Sequence, residues 1–154
     1  MSENIVDAIL TVLQAEPELG DVGEWKKVNG VVPLPCKTIS VGVDEEIFAP
    51  YTRLKDQVTA KVIVYAYLTD VDPEDGEASI RAMAKIIRHA LSADHSLGGK
   101  AATSFVKDIR YVYADDFEDL HAAAITLEVV YYASRLKPLV APPTGKISME
   151  AERS

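Results

Sequence analysis

His89, Asp94 and His95 carry the imidazole and carboxylate donors that metal ions take, Cys36 carries a thiol, and His121 follows Asp119 by two residues. Their spacing argues against each use. On a continuous helix His89 and His95 would be turned roughly 600° apart, on different faces, and the interval matches no recognised metal-binding pattern. Cys36 follows Pro35 in a loop, with no base nearby in sequence to take its proton. His121 at the start of a strand reads as a surface histidine. Thr144-Gly145-Lys146 has the end of a phosphate-loop pattern but lacks the first glycine and a following helix. Gly98-Gly99-Lys100 fails because it follows a helix and leads toward a strand. The paired acids Asp44, Glu45, Glu46 and Asp115, Asp116 could in principle exchange protons with a substrate, but adjacent carboxylates in turns are commonly just hydrated. The expectation is therefore a protein that is not an enzyme, with no catalytic, cofactor-binding or metal-binding residues and no cofactor. A dispersed site that converges only in three dimensions would leave no such motif.

The elements that would position any site are organised around Gln57 to Leu91. Val58, Ala60, Val62, Val64, Ala66 and Leu68 fall on one side of an extended strand, opposite Thr59, Lys61, Ile63, Tyr65 and Tyr67. Asp72-Pro73-Glu74-Asp75 then reads as a helix start, with Asp72 as the cap, Pro73 in the first turn and acids opposing the dipole. Ile80, Met83, Ala84, Ile87 and Leu91 form a helical stripe opposite Arg81, Lys85 and Arg88. Such a helix lies on the apolar face of the sheet.

Elsewhere, Ile5, Val6, Ile9, Leu10 and Leu13 predict a first helix over Ser2 to Gln14, ended by Pro17 and Gly20. Asp21 to Asn29 suits a short exposed strand, and Asn29-Gly30 a turn before Pro33 and Pro35. Thr38 to Val43 alternates as a second strand that the acids Asp44, Glu45 and Glu46 end. Ile47 to Lys55 has bulky residues without a period and contains Pro50, so it reads as a long connection. Gly98-Gly99 supplies a tight turn. Phe105 to Tyr113 alternates, placing Phe105, Lys107, Ile109, Tyr111 and Tyr113 against Val106, Asp108, Arg110 and Val112, and Leu120 to Ala133 is a last strand. An acidic turn at Asp115-Asp116 joins these two as an antiparallel hairpin. There is no internal repeat.

The expected class is α+β: a mainly antiparallel sheet of four to five strands packed with two helices, in a single domain over residues 1–135. Residues 136–154 form a Pro-containing C-terminal arm, because Pro138, Pro142, Pro143 and Gly145 exclude helix and central strand. Leu139, Val140, Ile147 and Met149 give the arm apolar residues, and it is either disordered or laid on a neighbouring molecule.

At 154 residues with 48% hydrophobic and 26% charged residues, the chain can build its own core. No run of about 18 apolar residues is present to span a bilayer, and MSENIVDAIL lacks the basic start of a secretory signal, so a soluble protein made in the cytoplasm is expected. A lone Cys36 cannot form an intrachain disulfide. The net charge of -8 argues against a duplex-binding surface, which needs clustered Lys and Arg. It is compatible with a protein that lets DNA slide past.

The order of these elements carries a resemblance. An amino-terminal helix with IVDAILTVL, a Pro-containing approach to a strand, the long VTAKVIVYAYL strand and a helix ending IIRHAL come first; a Gly-Gly loop and a closing strand ending EVVYYAS follow. Over Asn4 to Ala133 this resembles the tail terminator or tail completion (minor tail) proteins of tailed bacteriophages, a family without a catalytic motif to check. The resemblance implies a structural virion protein at the tail and neck, assembled in the host cytoplasm. Its subunits would form a ring, hexameric by that likeness, capping the head-proximal end of the tail tube and docking the head-tail connector or stopper. Implied partners are copies of itself, the tail tube protein and the connector, with DNA passing through the lumen without specific binding and no membrane. Tyr65, Tyr67, Leu139, Val140 and Ile147 are then candidates for the subunit interface, although the tyrosines can equally be sheet cover. Asp44, Glu45, Glu46, Asp115 and Asp116 are candidates for an acidic lumen, or else solvated turns. A hexamer would carry a charge of about -48. The alternatives are another head-tail joining or minor tail protein, or a small α+β enzyme or ligand-binding domain.

Overall fold

The computed structural model describes residues 2–28, 36–113 and 119–136. Helix α1 (Ser2–Gln14) leads through a 3-10 turn (Pro17–Leu19) into a short strand, β1 (Glu24–Lys26). Two long strands, β2 (Thr38–Pro50) and β3 (Lys55–Thr69), precede helix α2 (Pro73–Ala93), and β4 (Thr103–Tyr113) and β5 (Leu120–Ser134) complete the fold. The strands form one sheet in the order β1-β2-β3-β5-β4. Only the β1–β2 pairing is parallel; β2–β3, β3–β5 and β5–β4 are antiparallel. This is the mainly antiparallel α+β sheet with two helices that the residue pattern predicts.

Both helices pack on the same face. Ile5, Ile9 and Leu13 of α1 and Ile80, Ala84, Ile87 and Leu91 of α2 share one core with Val58, Val62 and Val64 of β3 and with Ile125, Leu127 and Val129 of β5. The alternation read along β3 thus selects the covered face. Helix α2 begins as its residues dictate: the Asp72 carboxylate accepts from the Glu74 N–H at 3.0 Å and the Asp75 N–H at 3.3 Å, and Pro73 occupies the first turn. Its first turn lies close against β5, for a Cβ added at Gly76 would fall 2.2 Å from His121 Nε2. Beyond α2, Leu97, Gly98 and Gly99 all take positive φ. Glycine accepts that conformation freely, and Leu97 accepts it while burying its side chain.

Three expectations change. First, β2 does not end at the acids. A bulge at Asp44 separates the pairs Val43↔Val62 and Glu45↔Lys61, and the strand then continues to Pro50↔Asp56. Acids are tolerated there because the strand is exposed from Asp44 onward, and the bulge absorbs the extra residue. Second, 47–55 is a β2–β3 hairpin rather than a long connection. Pro50 closes the register at the strand end, a place where its missing N–H is readily accommodated. The turn is held by the Tyr51 and Thr52 N–H groups donating to the Lys55 carbonyl and by Thr52 Oγ1 accepting from Leu54 and Lys55. Third, strict alternation along β4 is broken by a bulge at Lys107, between Val106↔Leu127 and Asp108↔Thr126. Val106 and Ile109 therefore both face the helices, and Phe105, opposite Glu128, faces away. The turns expected at Asn29-Gly30 and Asp115-Asp116, and the arm from Lys137, lie outside the described residues.

Candidate assembly surface

The side chains that could have done chemistry take structural or dispersed positions. His89 is exposed on α2 and His95 is exposed in the following loop. Asp94 turns into that loop, accepting from Ser96 Oγ at 3.0 Å and the Gly98 N–H at 2.9 Å. The Ser96 hydroxyl, then the Gly98 amide, hold its carboxyl below the ordinary range. His121 is half-buried with Nε2 3.3 Å from the Asp70 carbonyl, against the backbone of Gly76. Cys36 Sγ lies 3.8 Å from Thr38 Oγ1. Among the described residues no group of three or more His, Cys, Asp or Glu gathers as a metal site, and no helix is long and apolar enough to cross a membrane. Two open clefts, about 350 Å³ between α1 and the Leu97–Lys100 loop and about 140 Å³ beside Leu19 and Met83, carry polar groups engaged locally: Thr11 donates its hydroxyl to the Asp7 carbonyl in the first, and Lys37 pairs with Asp21 in the second.

The informative surface is elsewhere, at the hairpin end of the sheet. Ile47 and Phe48 are 56% and 59% exposed, Tyr51 and Leu54 cap the turn in the open, and Leu136 follows β5 beside them. These residues stand on built structure. The Tyr51 and Tyr132 rings meet at 4.5 Å, the Arg135 N–H donates to the Leu54 carbonyl at 2.7 Å, and Arg135 Nε reaches Asp56 at 2.7 Å. At the border with the core, the buried Tyr131 donates its hydroxyl to the Glu46 carboxylate at 2.6 Å. Burial, then the Glu46 carboxylate, push the Tyr131 phenol well above its ordinary range. Lys61 lies 3.5 Å from Asp44 in the same region.

The candidate interface and lumen residues are not all alike in this frame. Tyr67 is 0% exposed, packed with Leu120 and Ala122 on the face away from the helices, so within the subunit it offers no free surface. Tyr65 packs beside it, half-buried. Asp44, Glu45 and Glu46 are exposed on β2. Leu139, Val140, Ile147, Asp115 and Asp116 lie outside the described residues. Residue patterning missed Ile47, Phe48, Tyr51, Leu54 and Leu136 as a surface. The signal available was a cluster of bulky residues with no period, between two acidic or basic stretches.

No protein-family model matches the sequence, and no curated protein matches it. In structure the chain is similar to one from the virion of a native gene transfer agent (GTA) particle, with a TM-score of 0.56 and 12% identity, over 84% of this chain and 95% of that chain. The two share a fold. At that identity the likeness reaches nearly the whole length of both chains but carries the architecture alone.

Proposed function

We propose that this chain is a structural virion protein of the tail terminator type: a non-enzymatic subunit of a ring, hexameric in the preferred form, that caps the head-proximal end of a tail tube and offers a docking face to the head connector. The observation that supports it most is the fold, shared over nearly the full length of a chain from a virion. The resemblance in element order over Asn4 to Ala133 points the same way, and so does the surface. An exposed apolar hairpin end on an otherwise well-packed subunit is what a protein that works by contact requires. A ring of such subunits, each of net charge -8, would let DNA pass with little adhesion. In this reading the protein acts in the virion, at the junction of tail and head, after assembly in the host cytoplasm. Its partners are copies of itself, the tube protein and the connector.

The decisive experiment removes the gene product from the particle. Without a terminator, tube polymerisation has no stop, so tails of irregular length unattached to heads are expected by electron microscopy. Uniform tails properly joined to heads would overturn the reading. Uniform tails that fail only to join would shift the role to another head-tail joining or minor tail protein.

A further inference from the structure

Among the described residues, both edges of the sheet are open. Strand β1 covers β2 only at Thr38–Ser40, leaving the outer edge from Glu45 to Pro50 with no strand beside it among the described residues, and β4 is last in the sheet order. An open edge is a template for another strand, and proteins commonly blunt it with bulges and charge. Both devices are present here, with the β2 edge acidic and the β4 edge net basic. The β2 bulge falls at Asp44 and is followed by Glu45 and Glu46; the β4 bulge falls at Lys107 and is followed by Asp108 and Arg110. Among the described residues, no carboxylate forms an ion pair with Lys107 or Arg110, and no base forms one with Glu45. Next to the charges, each edge exposes apolar side chains: Ile47 and Phe48 on β2, and Phe105, Tyr111 and Val112 on β4.

We infer that the β4 edge of one copy pairs with the Glu45–Pro50 edge of the next, so that the sheet runs on from subunit to subunit. The inference rests on the ring reading and supplies its contact. Since β2–β3, β3–β5 and β5–β4 are each antiparallel, β4 runs opposite to β2. A neighbouring β2 in the same orientation therefore meets β4 antiparallel and keeps the alternation of the long strands. Charge selects this arrangement over the two-fold ones. Pairing β2 with β2 sets Glu45 and Glu46 near their own copies, and pairing β4 with β4 brings together two edges on which Lys107 and Arg110 outnumber Asp108, whereas like charges across a pair destabilise it. A contact between two different edges is heterologous and propagates until the rotation closes a ring. The acids Asp44, Glu45 and Glu46 then belong to the seam between subunits rather than to the lumen.

The test uses the full chain carrying Glu45→Lys or Lys107→Glu, two exposed positions without an ion-pair partner among the described residues. Size is read by sedimentation over a concentration series, with circular dichroism as the fold control. Wild-type protein associates; each variant alone associates about five-fold more weakly per seam, the loss expected for one like-charge pair. Mixing the two variants restores association, because each supplies the edge the other needs, and carbodiimide couples Lys107 to Glu45 or Glu46 in the wild type. Association that persists unchanged in both variants overturns the edge pairing and leaves the ring intact. Wild-type protein that stays monomeric throughout and yields no such coupling overturns the edge pairing together with the ring it was to build.

Discussion

The sheet runs through two environments, and the contrast between them is the main lesson of the fold. Under the helices, Val62, Val64, Ile125 and Leu127 are each 0% exposed and share one core. At the hairpin end, Phe48, Tyr51, Leu54 and Leu136 stand in solvent, Phe48 on backbone regularly paired with β3 and the others in the turn or just after β5. The same backbone geometry thus serves two purposes along its length. One part is satisfied within the subunit and supplies stability; the other leaves apolar side chains exposed among the described residues, which suits it to contacts between molecules.

The largest expected effect tests the covered half. Ile125→Ala removes buried side-chain volume where neighbours cannot fill the space, and it should cost about 2–5 kcal/mol in urea denaturation. A cost near zero would mean that the core is not where the strands meet the helices. Gly76→Ala comes next. The new methyl would fall 2.2 Å from His121 Nε2, so overpacking should cost about 1–3 kcal/mol, offset in part by the ~1 kcal/mol that alanine gains over glycine in a helix. Combining it with His121→Ala should recover most of the loss, a coupling that a double-mutant cycle measures directly. Equal losses with and without the imidazole would show that α2 does not approach β5 through that contact.

How far each half was legible in the sequence differs for a physical reason. Burial writes a period, and the period could be read: the helices, the covered face of β3 and the Ala123, Ile125, Leu127, Val129 row of β5 are where alternation and helical spacing put them. The hairpin end obeys the same pleat, but Ile47 and Phe48 are both exposed there, so they carry no polar alternation that marks a strand. Asp44, Glu45 and Glu46 imitate a turn because an exposed strand tolerates acids as a turn does. The bulges at Asp44 and Lys107 hide the pattern further, since each shifts the phase by one residue and leaves no mark of its own in the sequence. Of the candidate interface residues, Tyr67 could not be separated from an exposed neighbour by spacing, because its burial comes from Leu120 and Ala122 on distant chain positions.

Tyr131 sits at the border between the halves and gives a smaller effect. Tyr131→Phe removes the 2.6 Å hydrogen bond to Glu46, worth roughly 1 kcal/mol at neutral pH once the exposure of the carboxylate is allowed for. Its pH dependence has a definite sign. The folded phenol holds its proton to higher pH than the unfolded one, so the folded state binds more protons above about pH 10 and stability falls as pH rises there. Curves of wild type and Tyr131→Phe should therefore converge as pH rises above that point. Parallel curves would show that the Glu46 contact does not stabilise the protonated phenol.

Phe48→Ser should have the smallest effect on stability and is the sharpest test of the contrast. Its ring is 59% exposed although it is paired with Val58, one of the most buried residues of β3. Truncating an exposed side chain leaves little cavity, so the urea midpoint should move by less than ~0.5 kcal/mol. Association of the full chain should weaken, because an apolar contact at the strand edge has been replaced by a hydroxyl that prefers water. A core-sized loss of stability would instead place the hairpin end inside the same cooperative core as Ile125 and erase the distinction. An unchanged midpoint with unchanged association would show that this part of the exposed end takes no part in contact between copies. Because the two readouts depend on different surroundings of adjacent, hydrogen-bonded strands, one substitution separates stability from assembly at a single rung of the sheet.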